Sequence, residues 1–332
     1  MLRTMPAGAQ RIRLDLPRHP RFKDFEAFAA RAIFPRLAEM EDDRKRAVKR
    51  VCHRAFAVAA TVAALQVLAF GVIGTDAFIG VGVLGIPPAI IGGVFAAQPL
   101  RRVRADLKQF LITETCKHLG LRYSGMEPAL PFDRFVAARL LPKHGGPSFQ
   151  DGIECSDAAM RFSAAETTLW RSITGLDSRG DNTLWRGLLV ALPAPRPLSG
   201  RTLVMSERAA IEQFFDGRRA EPIDLGYGDL AAGLEIRTTD PDEARAVLTE
   251  RVMRRIADLA RRLGRERLSL ALFEGDILLA IETRKDRFEG GSVNAPLAAA
   301  ARMNQLLAEL ALLFELAEAV RDAFDGRPSQ PA

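Results

Sequence analysis

Phe288-Glu289-Gly290-Gly291-Ser292 is the one glycine-rich turn of this 332-residue chain that leads into a helix, and such a turn could offer backbone amides to an anion. The plainer account, a flexible lead-in capped by Asn294 and Pro296, is favoured. Asp276, Glu282, Asp286 and Glu289 lie close together and could pair for acid–base work, but solvated residues of a hairpin and its exit have the same spacing. His19, His53, His118 and His144 are scattered without paired ligand spacing, which argues against a metal centre. Cys52, Cys116 and Cys155 are odd in number and lack metal-ligand or redox spacing, as in a chain kept reduced. No G-x-x-x-x-G-K-[ST], strand-linked G-x-G-x-x-G, H-E-x-x-H, C-x-x-C or G-x-S-x-G occurs. No catalytic, cofactor-binding or metal-binding residue is therefore assigned, and no cofactor is expected.

On one arginine-rich helix Arg251, Arg254, Arg255, Arg261, Arg262 and Arg265 oppose an apolar face of Val252, Ile256, Leu259 and Leu263. The net charge of +6 is modest and no aromatic side chains are interleaved to stack on bases, so nucleic acid is not the expected partner. Anionic lipid headgroups or another membrane protein are closer candidates, each well-placed arginine contributing ~1 kcal/mol near a negative leaflet. The plainer reading is a solvated face partly neutralised by Glu250 and Asp258.

These residues need elements to position them. Hydrophobic residues make up 48% and charged residues 27%, values of a globular protein, but one window breaks the average. From Ala55 to Leu100 the only charged residue is Asp76. The window divides into 55–74 and 77–97, each near the ~20 residues that cross a bilayer core, with Gly74-Thr75-Asp76 as the turn. Basic residues from Arg44 to Arg54 and from Arg101 to Lys108 flank it, so a transmembrane helical hairpin with both termini cytoplasmic is expected, in the inner membrane of a bacterium. The lipid bilayer would be its first partner. Gly85, Ala89, Gly93 and Ala97 would let the helices pack closely, and Pro87-Pro88 would kink the second one or make it re-entrant. The opening MLRTMPAGAQRIRLDLPRHPRF lacks the apolar core of a signal peptide.

Before this window, Phe25, Phe28, Ala29, Ile33, Leu37 and Met40 are spaced as in a helix, with a break expected at Pro35. After it, an amphipathic helix over 105–119 ends at Gly120, and a proline- and glycine-broken stretch follows. AMRFSAA, TLWRGLLVALP, GRTLVMS and LEIRTT read as strands, and RLSLALF and ILLAIET as a hairpin around Glu274-Gly275-Asp276. Asp240-Pro241-Asp242-Glu243 starts a helix to about Leu263, restarted near Thr249. A last helix, from about Pro296 to Phe324, has an apolar face wider than a dimer seam and so packs on the sheet. The expected class is α+β: an N-terminal two-helix transmembrane hairpin followed by a cytoplasmic antiparallel β-sheet domain with packed helices. The expected divisions are a juxtamembrane segment 1–54, the hairpin 55–100, a connector 101–150, the α+β domain 151–325 and a disordered tail 326–332.

The segments IFPRLAEMEDDRKRAVKR, DPDEARAVLTERVMRRIADL and ALFEGDILLAIETRKDRFEGGS resemble the bacterial DUF3137 family over about Phe22 to Val320. That resemblance implies the architecture and a bacterial source; the family's function is unknown and it carries over no catalytic residue. Two functions remain: a membrane-anchored binding or scaffold module, and an enzyme with an unrecognised site on the α+β domain. The absence of any nucleophile–base or metal pattern favours the first.

Overall fold

The computed structural model describes residues 14–73, 98–157, 160–171, 183–194, 196–206, 220–228, 233–263, 267–284, 287–288 and 300–325. The chain divides into two compact units, Met1–Glu114 with Glu289–Leu306, and Thr115–Phe288 with Leu307–Ala332.

In the first unit a 3-10 turn at Pro20–Phe22 precedes α1 (Phe25–Phe28), a π-helical turn (Ala29–Ile33) and α2 (Phe34–Ile73). The expected periodicity is real, since Phe25, Ala29, Ile33, Leu37 and Met40 are all buried. The break expected at Pro35 is absent. The wider turn just before it, in which the Phe34 N–H reaches back to Ala29, relieves the clash that a proline ring makes with the preceding turn, and the helix continues. Residues 98–118 form α3, whose Leu107, Leu111 and Ile112 are buried in this unit. Arg302 is also buried here; burial first, then the charge of Arg44, lowers its pKa, while Glu41 acts the other way and pairs with Arg44 at 2.6 Å.

Among the described residues no helix is long and apolar enough to cross a membrane, so the expected transmembrane hairpin is not supported. Its first half is the end of α2, a helix that begins among charged residues. Its turn and its second half, with Pro87-Pro88, lie outside the described residues. The expected inner-membrane placement and topology rested on that pair.

The second unit is built on one antiparallel sheet. Its strands are β1 (Arg122–Gly125), β2 (Gly146–Cys155), β3 (Phe162–Trp170), β4 (Thr183–Pro193), β5 (Arg201–Ser206), β6 (Glu221–Pro222), β7 (Leu234–Thr238), β8 (Arg267–Phe273) and β9 (Asp276–Glu282). The described residues give a nine-stranded order β1-β2-β3-β4-β9-β8-β5-β7-β6, so the β8–β9 hairpin is inserted between β4 and β5. An α+β class with an antiparallel sheet is therefore what the chain folds into. The short helix α4 (Phe132–Ala137) lies between β1 and β2, in the stretch expected to be loop-rich.

Both faces of the sheet are covered, which is why LLVAL, LSLAL and ILLAI are unbroken apolar runs rather than alternating ones. On one face Ala165, Leu169, Leu189, Leu203, Met205, Ala271 and Leu278 share a core with Leu130, Phe135, Leu140 and Leu141 from the α4 region. On the other, Ala164, Leu188, Val190, Val204, Leu270, Leu279 and Ile281 are buried. Two helices lie between β7 and β8: α5 (Pro241–Val247) and α6 (Glu250–Leu263), separated at Leu248-Thr249. Asp240 caps α5 by accepting from the Glu243 N–H at 2.9 Å, as its sequence promised. The helix α7 (Ala300–Asp325) follows, and its Phe314 meets Phe162 of β3 edge-on, 6.1 Å between ring centroids.

Candidate functional site

Polar side chains converge at two places in the sheet unit. The first is buried beside β1 and β2. The β2 strand carries a bulge between Gln150 and Ile153, where Asp151 takes a left-handed φ of 51° and Gly152 fits so close to Ser124 and Pro128 that a Cβ would meet the Ser124 hydroxyl at 2.4 Å. The bulge sinks the Asp151 carboxylate, 3% exposed, where it accepts from the Tyr123 hydroxyl at 2.8 Å. Burial first, then the charge of Asp151 and this hydrogen bond, push the Tyr123 pKa well above the usual tyrosine range. Burial, then Asp151, pushes the Cys116 thiol up to about 12. Such a thiol is a packed core atom rather than a nucleophile. Glu166 accepts from the Arg287 N–H at 2.5 Å, and the Arg287 guanidinium pairs with Glu309 of α7 at 2.6 Å. The Glu166–Arg287–Glu309 contacts tie β3 to the last helix.

The second place is open. A groove of about 490 Å³ is lined by Ala194, Arg196, Pro197, Leu198, Glu274 and Gly275, within the range of small-ligand sites. Three local structures shape it. The β8–β9 hairpin turns on Glu274 and Gly275, with φ of 48° and 80°, a primed two-residue turn that suits strand twist. The Ala194 N–H donates to the Gly275 carbonyl at 2.7 Å, which fixes the chain leaving β4 beside that turn. Glu243 of α5 accepts from the Ser199 and Gly200 N–H groups at 2.8 and 2.7 Å, which anchors the other end of the 194–200 segment. Burial works to raise the Glu243 pKa, but these bonds outweigh it and hold the carboxyl below its ordinary value.

Arginines border this groove. Arg134 of α4 donates to the Glu274 carbonyl at 3.3 Å and pairs with Asp276. Arg139, just beyond α4, and Arg201, the first residue of β5, are half-buried; burial first, then the charge of Arg139, lowers the Arg201 pKa. Among the described residues neither has a carboxylate partner.

The sequence candidates lie elsewhere. Of the arginine-rich helix, now α6, Arg254 pairs with Glu250 at 2.6 Å, Arg261 with Asp258, and Arg262 with Glu315 of α7 at 2.9 Å. Arg251 and Arg255 lie on the same helix, while Arg265 is outside the described residues. Asp276 is taken by Arg134 and Glu282 by Arg267 at 3.4 Å, so the structure does not bring these two carboxylates together; Asp286 and the 289–292 turn lie outside the described residues. No group of three metal-ligating side chains occurs among the described residues. Sequence reasoning passed over Arg134, Arg139, Arg196 and Arg201 because they come from two separate stretches; the available signal was APRPLSGR, a proline-broken link between two buried strands that keeps two arginines.

Residues 183–321 match the family model described as "Protein of unknown function (DUF3137)". The DUF3137 segment runs from β4 into α7, so it contains Arg196, Arg201 and the Glu274-Gly275 turn and leaves out Arg134 and Arg139. No match is found among curated proteins. The crystal structure of the mycobacterial trehalose monomycolate transport factor A, TtfA, is similar at 13% identity and a TM-score of 0.32, covering 61% of this chain and 95% of that one. At that score the likeness carries no argument.

Proposed function

We infer that the sheet unit is a binding module whose ligand sits in the groove at the β8–β9 turn, and that it performs no chemistry there. The observation that carries this reading is the groove itself: an open cavity of about 490 Å³ with apolar walls at Ala194, Pro197 and Leu198 and a charged rim. Apolar lining with a few oriented polar groups is the ordinary make-up of a ligand site. Cys116, Asp151 and Glu166 are buried and Tyr123 is half-buried with its hydroxyl given to Asp151, and none of them is among the residues lining the groove, where Glu274 is the carboxylate. A single exposed carboxylate, with no nucleophile or second carboxylate among the lining residues, favours binding over catalysis.

A panel of small neutral and charged fragments tests this, with binding followed by amide and methyl chemical shifts of the full chain. The expected hits perturb Ala194, Leu198 and Gly275 and emerge chemically unchanged. Hits confined to other surfaces, or conversion of a fragment at the groove, would overturn the reading.

A further inference from the structure

Two of the residues that line the groove are charged, and with opposite signs: Arg196 on the β4–β5 link and Glu274 on the β8–β9 turn. Both are exposed, and among the described residues neither forms an ion pair, with the other or with a third group. Arg134, which reaches the Glu274 carbonyl at 3.3 Å, pairs with Asp276 rather than with the Glu274 carboxylate. The segments that carry the two charges are nonetheless held. The Ala194 N–H donates to the Gly275 carbonyl at 2.7 Å, and the Ser199 and Gly200 amides are given to Glu243 at 2.8 and 2.7 Å. Arg196 therefore sits on a link tied at both ends, and Pro197 after it narrows its backbone freedom further. The groove thus offers one guanidinium fork and one carboxylate, with Ala194, Pro197 and Leu198 as apolar lining.

Glu274 is a poor choice for the turn it occupies. It holds a φ of 48° and Gly275 one of 80°, and a two-residue turn with positive φ at both positions favours Asn, Asp or Gly at the first. A longer side chain meets the steric cost of the left-handed region without the local hydrogen bond that Asn or Asp can make. A residue kept in a sparsely populated backbone region beside a ligand groove points to work done by its side chain. We propose that the groove binds a small zwitterion, an amino acid or short peptide, with its ammonium on Glu274, its carboxylate in the fork of Arg196 and its apolar part against Pro197 and Leu198. This deepens the groove reading and rests on it. A ligand with one charge leaves one of the two groups unmatched, whereas a zwitterion meets each with its opposite.

The test titrates the full chain with leucine, followed by amide and methyl chemical shifts, beside isopentylamine and isocaproate, which keep the branched chain with only the amine or only the carboxylate. The expected result is saturable shifts at Ala194, Leu198 and Gly275, with leucine bound at least ~3-fold tighter than either analogue, the scale of solvent-screened charge contacts. Glu274→Gln is expected to bring leucine down to the level of isocaproate and to leave isocaproate unchanged; Arg196→Gln brings it down to the level of isopentylamine and leaves that amine unchanged. Glu274→Asn, which suits the turn and removes the charge, is expected to melt no lower than the parent and to show the same loss of leucine. Tighter binding of the dipeptide alanylleucine than of leucine assigns a peptide, and equal or weaker binding assigns the free amino acid. Analogues that match leucine at the groove, or a preference for leucine that survives both glutamine variants, overturn the proposal and leave the groove reading intact. An asparagine variant that melts lower assigns Glu274 to the turn itself and overturns it as well. Shifts from every probe that fall only on other surfaces overturn the groove reading, and the proposal with it.

Discussion

At Tyr123 and Cys116 burial raises the pKa first, and the Asp151 carboxylate in the bulge adds to it. The thiol proton is held more tightly in the folded chain than in the unfolded one, with a pKa of about 12 against an ordinary 9.0. Its contribution to stability is therefore complete below pH 9 and is lost as pH rises toward 12. Urea denaturation across that window is expected to show a steeper alkaline fall for the parent than for Cys116→Ala, and equal slopes would contradict the assignment. A thiol reagent at neutral pH is expected to label the exposed Cys52 in the native protein and to reach buried Cys116 and Cys155 only on unfolding. Replacing the hydroxyl in Tyr123→Phe strips one donor from a buried carboxylate and is expected to cost about 1–3 kcal/mol, read from the same denaturation curves. None of this was legible beforehand. Asp151-Gly152 has the composition of a turn, and only its pairing with the next strand, β3, shows that it is a bulge inside a strand.

Elements were more legible than residues, and the reason is local. TLWRGLLVALP, GRTLVMS, LEIRTT, RLSLALF and ILLAIET became β4, β5, β7, β8 and β9 because short apolar runs bounded by glycine, proline or turn pairs leave few other options. The acid–proline start of α5 and its restart as α6 near Thr249 were equally local. β1, β2 and β6 were missed, since edge and near-edge strands with polar residues such as RYSG and EP carry no apolar run. Strand order was not readable either, because nothing within the hairpin says that it inserts between β4 and β5. At that insertion Gly187 of β4 is indispensable: a Cβ there would meet the Ile281 carbonyl of β9 at 2.2 Å and the Trp185 ring at 2.7 Å. Neither backbone nor a packed indole yields easily, so Gly187→Ala is expected to destabilise the chain by about 1–3 kcal/mol, measured by thermal or urea unfolding. An unchanged midpoint would mean that β4 and β9 are less tightly apposed than described.

At the scale of the molecule, the strongest signal in the sequence was the one that misled. A charge-free window flanked by arginines and lysines reads as a membrane hairpin because composition reports burial in something apolar and cannot say in what. Among the described residues no helix meets the requirement of length and apolarity for a crossing, and the resemblance to DUF3137 held for residues 183–321, from β4 into α7, without β1 to β3. The candidate groove escaped notice for the converse reason: its walls and arginines come from the α4 region, the β4–β5 link and the β8–β9 turn, which only the sheet order brings together. The account stands on that groove being where a ligand sits. Ala194 lies on its wall and is half-exposed, so Ala194→Trp fills the cavity without touching the sheet core. The deciding measurement is the affinity of fragments that bind the parent chain, taken by calorimetry on the parent and on Ala194→Trp. The account predicts at least ~10-fold weaker binding by a variant with an unchanged melting temperature; undiminished affinity in that folded variant would contradict it.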